Sequence, residues 1–157
     1  MRKIFICFTA TFLVFAGISP GFASDIIDTA TTTGGFKTFV AAVKSAGLTA
    51  SLKSPGPYTV FAPSDAAFAK LPASEWAALL KDKERLAKVL AYHVVLGRIL
   101  VTDVKPGKVN TIQGSAVTLT SDNGKIKVND ANVTESDINA DNGVIHVIDT
   151  VNLPDGQ

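Results

Sequence analysis

The chain has 157 residues, with 15 Lys+Arg against 14 Asp+Glu, one cysteine and 46% hydrophobic residues. That length fits one domain with a real core, and the charge balance offers no basic footprint for nucleic acid or anionic membrane surfaces. A lone cysteine excludes a disulfide framework.

The N-terminus has the layout of a secretory signal peptide. Arg2 and Lys3 supply the positive start, Ile4 to Ile18 form an apolar run, and Pro20-Gly21-Phe22-Ala23 bring a helix breaker and small residues. Cleavage is expected after Ala23, leaving residues 24–157 as the mature domain. The run of about 15 residues is shorter than the roughly 20 a spanning helix needs, so an uncleaved anchor is the alternative reading and no membrane span is expected after cleavage. Cys7 leaves with this segment, which removes thiol nucleophiles and thiolate metal sites. Losing Arg2 and Lys3 also leaves one more acid than base.

Along the mature chain the first half reads helical. A short helix is expected around Asp25 to Ala30, separated by Gly34-Gly35 from a second one. In the second, Phe36, Phe39, Val40 and Val43 line one face, and Gly47 stands where a left-handed cap ends a helix. The turn cluster Ser54-Pro55-Gly56-Pro57 delivers the chain into Tyr58-Thr59-Val60-Phe61-Ala62, a β-branched and aromatic strand that Pro63 ends. Asp65 is expected to cap a short helix carrying Phe68 and Leu71, Ser74 one carrying Trp76, Leu79 and Leu80, and Asp82 a third. In that third helix Leu86, Val89, Leu90 and His93 form a buried stripe.

Beyond Gly97 the period changes to alternation. Val117 and Leu119, then Ile126 and Val128, flank Asn123-Gly124, a two-residue hairpin signal. A second hairpin is expected from Ala131 to Ser136 and Val144 to Val151, through a loop ending in Asn142-Gly143. Val144-Ile145-His146-Val147-Ile148 is apolar on both faces and reads as a central strand. Helices first and strands second argue for an α+β domain with a mostly antiparallel sheet.

Three blocks, in order, carry a resemblance. Thr59-Val60-Phe61-Ala62-Pro63-Ser64-Asp65-Ala66-Ala67-Phe68, Tyr92-His93 and Asn142-Gly143-Val144-Ile145-His146-Val147-Ile148-Asp149 are similar to the signature blocks of fasciclin-like domains, over a match from about Asp25 to Pro154. Asn152 departs from the family's usual aliphatic residue, which bears on packing at the end of the last strand. The resemblance implies a wedge or sandwich of strands with helices packed along it, an extracytoplasmic location, and a role in cell-to-cell or cell-to-matrix attachment.

Candidate sites are each read beside a structural role. His93 and His146 sit within apolar segments, and no third or fourth ligand accompanies them, so core histidines are favoured over a metal site. Ser64 or Ser115 with a histidine and an aspartate would make a hydrolase, yet no G-x-S-x-G elbow occurs and Ser64-Asp65 suits helix capping. No catalytic residue, metal or cofactor is therefore expected.

Asp137, Asn139 and Asp141 imitate the start of a calcium loop, but Asn142 and Ile148 stand where it needs glycine and glutamate, so a connecting loop is favoured. Asn132-Val133-Thr134 is a formal glycosylation acceptor. The resemblance adds binding candidates: Asp137 and Ile138 match an Asp-Ile pair implicated in receptor attachment in animal relatives, and Tyr92 and His93 match a proposed attachment motif. For both pairs the structural reading is preferred, with Ile138 packing inward, Asp137 beginning a turn, and Tyr92-His93 holding helix to sheet.

The function expected is attachment through a cell-surface or matrix protein or glycan, by a periplasmic or secreted protein for which a monomer is the expected state. The rival is a carrier of an apolar small molecule such as a carotenoid, which some fasciclin-like proteins of photosynthetic organisms bind, with the helical half lining a groove beside the sheet.

Overall fold

The computed structural model describes residues 24–154, so the leader and its cleavage after Ala23 lie outside the described residues. Six helices precede most of the sheet: α1 Ile26–Thr33, α2 Lys37–Ala46, α3 Thr49–Lys53, α4 Asp65–Ala69, α5 Ala73–Lys81 and α6 Lys83–Tyr92. Asp25 caps α1 by accepting the Asp28 N–H, and Asp82 caps α6 by accepting that of Arg85, as residue type predicts. Gly47 closes α2 in the left-handed conformation at φ 73°, its N–H reaching back to the carbonyls of Val43 and Lys44. Phe39, Val40 and Val43 are buried on one face of α2, and Leu86, Val89 and Leu90 on one face of α6.

Two caps differ from expectation. Ser64, not Asp65, caps α4, by accepting the Ala67 N–H at 3.2 Å. Asp65 instead reaches α2, whose N-cap position is Phe36 and has no side-chain acceptor; its Oδ1 takes the Thr38 N–H at 2.8 Å. This backbone bond is the main reason its carboxyl lies below the usual range. Ser74 caps nothing, because α5 starts one residue earlier behind Pro72; Leu80 faces solvent while Leu79 is buried. Replacing Asp65 by alanine should leave Thr38 without its acceptor and cost about 1 kcal/mol in urea denaturation. Asn at this position keeps an acceptor and should retain most of that stability.

The strands are β1 Tyr58–Pro63, β2 Val94–Leu96, β3 Gly107–Asn110, β4 Ala116–Asp122, β5 Lys125–Val128, β6 Ala131–Ala140 and β7 Gly143–Ile148. They run in the order β2-β1-β7-β6-β5-β4-β3, antiparallel except for β1 beside β7. The sheet curls until its two edges approach: Val95 bridges Thr111, and Ile112 N–H donates to the Val94 carbonyl at 2.9 Å. The fold is thus α+β, a nearly closed wedge with helices along it. β7 is buried at every residue, as its two-sided apolar pattern requires. Asn123 and Gly124 both have positive φ in the β4–β5 turn.

The segment expected as the loop of the second hairpin is strand. β6 continues to Ala140, and only Asp141-Asn142 separate it from β7. Its polar residues looked like a loop because β6 is twice irregular, with register shifts between Val133 and Glu135 and between Glu135 and Ile138.

The core has two parts. Helices pack on one side of the sheet through Ile26, Phe39, Leu52, Val60, Leu86 and Ile145. Phe61, Val95, Val117, Leu119, Val128 and Ile148 fill the inside of the curl.

Candidate functional site

The second irregularity of β6 organises the site. Glu135 pairs with Val147 and Ile138 with Ile145, so Ser136 and Asp137 together oppose the single residue His146. Such a bulge turns a side chain outward, and Asp137 adopts φ 56° there, a region that Asp and Asn tolerate better than other side chains. Its N–H donates to His146 Nδ1 at 3.3 Å, and its Oδ1 accepts the Val101 N–H at 2.9 Å. No second bond to this carboxylate occurs among the described residues, and the residue is exposed. Ile138 is half-buried against the main core. Asp137 therefore stands in a bulge rather than beginning a turn, and Ile138 packs inward.

His146 is saturated. Its Nε2 donates to the Ile99 carbonyl at 2.6 Å while Nδ1 accepts from Asp137, which fixes one neutral tautomer. Phe61 stacks on the ring with centroids 5.6 Å apart. Burial lowers the imidazole's pKa, against smaller opposing effects of the Ile99 bond and the Asp137 charge. Arg98 adds a bond to the Asn139 side chain, so residues 98–101 are stitched to β6 at Asp137 and Asn139 and to β7 at His146.

His93 is saturated in the same way. Nδ1 donates to the Val89 carbonyl at 2.7 Å and Nε2 accepts the Asn152 N–H at 3.0 Å. The ring is 2% exposed, and burial pushes its pKa down to about 4 despite the Val89 bond. Tyr92, 5% exposed, donates to the Ala116 carbonyl and accepts from Asn129 Nδ2 at 3.0 Å. Its remaining surface meets a polar cleft of about 600 Å³ shared with Thr118, Asn129 and Asp130. The pair joins α6 to the sheet and to the chain end.

Asn152, the departure from the aliphatic pattern, has a definite use: it is buried, and its Nδ2 donates to the Val128 carbonyl at 3.0 Å. Two further asparagines matter that residue type alone did not single out. Asn142 Oδ1 accepts the Ile26 N–H while its Nδ2 donates to the Leu52 carbonyl, joining α1, α3 and the β6–β7 turn. Asn129, at φ 54°, accepts the Thr118 N–H. A visible hint was their place beside glycine or aspartate in turn-like stretches; their partners were not visible.

The hydrolase and calcium arrangements are not assembled. Ser64 Oγ is engaged at its helix, and each imidazole nitrogen already has a backbone partner, so neither ring has a free nitrogen to deprotonate a serine. Asp137, Asn139 and Asp141 lie on a bulged strand and its turn, where alternate side chains do not wrap one cation. Asn132 is exposed, with its Nδ2 bonded to Asp149 Oδ2 at 3.1 Å. Among the described residues no helix is long and apolar enough to cross a membrane.

Two clefts lie on the helical side. One, of about 560 Å³, opens between Lys53, Pro55, Arg98 and Asp141. The other, of about 300 Å³, lies between α1 and α2 over Ala30, Phe36 and Val40.

The class defined by this geometry is a helix-backed, curled β module whose signature polar side chains hold its own elements together. A family model for the fasciclin domain matches residues 34–154, and the chain belongs to that family. It is 48% identical over 134 residues to Protein sll1483 of Synechocystis sp., covering 84% of this chain and 74% of that one. It is 36% identical over 122 residues to human periostin, covering 76% of this chain and 15% of periostin. Among solved structures it is similar to a FAS1 domain pair from the insect cell adhesion molecule Fasciclin I, with a TM-score of 0.69 at 17% identity, over 83% of this chain. The chain spans about half, 51%, of that solved pair.

Proposed function

We propose that this protein is an exported attachment module, acting as a monomer outside the cytoplasm on a cell-surface or matrix protein or glycan. The observation that carries the reading is the β6 bulge: a left-handed Asp137 holds an exposed carboxylate outward while Ile138 anchors the strand in the core. Backbone held in a sparsely populated region by its surroundings is a common mark of recognition sites. Family membership and a leader-like N-terminus support the same reading. The carboxylate offers its second oxygen to a cation or donor on the partner.

Deleting the gene should reduce attachment of cells to one another or to a surface under conditions where the protein is abundant. Complementation with Asp137→Asn separates charge from fold, because the amide oxygen still accepts the Val101 N–H. Wild-type attachment in both strains would reject the proposal.

A further inference from the structure

The groove between α1 and α2 differs from the other clefts in its chemistry. Its floor is apolar, with Ala30 at 1%, Phe36 at 3% and Val40 at 7% exposure. Its lining includes Lys37 and Lys44 and no carboxylate. These lysines are seven residues apart on α2, two full turns, so both ammonium groups flank the same face with about 10 Å between their backbone positions. Neither has an ion-pair partner among the described residues, whereas Lys53 and Lys70 do. Asp65 feels the charge of Lys37, but its Oδ1 is engaged by Thr38. Gly34 stands at the mouth with open space where a Cβ would be.

An apolar floor between two cations suits a ligand with an apolar body and an anionic head. Its size follows from the volume: about 300 Å³, at the roughly 30 Å³ that a water-sized group occupies in a liquid, accommodates about ten heavy atoms. We propose that this groove binds a medium-chain carboxylate, with the chain on Phe36 and Val40 and the head at the lysine ammoniums. The ion pair sets orientation and discriminates against neutral analogues. This goes beyond the attachment reading and does not depend on it, since the bulge of β6 contributes no residue to the groove.

Amide NMR titration of the purified protein with decanoate and, separately, with decanol tests the assignment. Decanoate should give saturable shifts at Ala30, Gly34, Val40 and Ala41, with decanol binding about tenfold more weakly. The double variant Lys37→Gln/Lys44→Gln, exposed positions whose loss should leave the melting temperature unchanged, should bring decanoate down to the decanol level. Ala41→Trp, on the exposed side of α2, should fill the groove and abolish binding. Absence of saturable shifts at those amides at millimolar decanoate overturns the proposal, and so does equal affinity for the two probes. An attachment defect, or its absence, leaves this titration unaffected, so the two readings fail separately.

Discussion

Replacing Gly143 with alanine is expected to destabilise the domain by about 4 kcal/mol, near the limit for a single substitution, or to prevent folding outright. A Cβ built there falls 2.0 Å from the Tyr58 carbonyl oxygen and 3.0 Å from Ile26 Cδ1. The first obstacle is backbone, which no rotamer change can relieve. Tyr58 and Gly143 are register partners in the parallel β1–β7 pair, and the Tyr58 N–H donates to the Asn142 carbonyl at 3.0 Å. Room for the methyl therefore requires the two central strands to part where α1 also docks. Urea denaturation supplies the value, and Gly47→Ala is the control. Gly47 needs its left-handed conformation but has open space at the Cβ position, so strain alone applies and about 1 kcal/mol is expected. Similar losses in the two variants would show that close approach is not what requires glycine at 143.

The contrast between these glycines also explains what could be read before the structure. Gly47 follows an apolar stripe with helical spacing, so its role is written in its neighbours. The role of Gly143 depends on β1, more than 80 positions away in sequence, and nothing beside it reports that approach. Elements encoded by local period were legible: the stripes of α2 and α6, the Asn123-Gly124 hairpin and the doubly buried β7. β2 and β3 were not, because Val94–Leu96 follows α6 after one residue and Gly107–Asn110 contains a single apolar side chain. The far end of β6, from Asp137 to Ala140, read as a loop because its bulges displace the alternation and fill it with Asp and Asn, residues that ordinarily avoid strands.

The polar residues divide in the same way. That Asp65 would accept from backbone was legible in its type, whereas Asn142 read only as the end of a loop and Asn152 only as a departure from an aliphatic position. Their targets are Thr38, Ile26 and Val128, 27, 116 and 24 positions away, and topology alone brings those groups within reach. The histidines show the converse. Placing His93 on an apolar stripe and His146 in an apolar strand was enough to expect core roles, because a buried ring must satisfy both nitrogens, and each does so on backbone atoms. A groove in the helical half was expected, but not its place between α1 and α2 nor its charge, because Lys37 and Lys44 look like solvated surface until the apolar floor between them is seen.

The same saturation makes the fold sensitive to mild acid. His93 has a folded pKa of about 4, depressed from an ordinary value of 6.5 by burial. Between those values the unfolded chain binds a proton that the folded chain refuses, so stability is fully present above about 6.5 and is lost as pH falls through that window towards the folded value. The gap corresponds to about 3 kcal/mol, a large part of the 5–15 kcal/mol typical of a domain. Protonation would place an unpaired charge in the core and convert Nε2 from acceptor to donor, facing the Asn152 N–H. His146, also lowered by burial, acts in the same direction and would lose its acceptor for Asp137. Asp65 titrates below its ordinary 3.8, so its contribution disappears only at still lower pH and does not blur the effect. Urea midpoints measured from neutral pH down to about 4 should fall steadily below about 6.5. His93→Gln should be less stable at neutral pH yet show a clearly shallower fall, since the residue that titrates has gone. A wild-type stability that stays level across this interval, or a variant with an undiminished slope, would place the imidazole's proton affinity elsewhere and remove the buried, saturated ring as the cause.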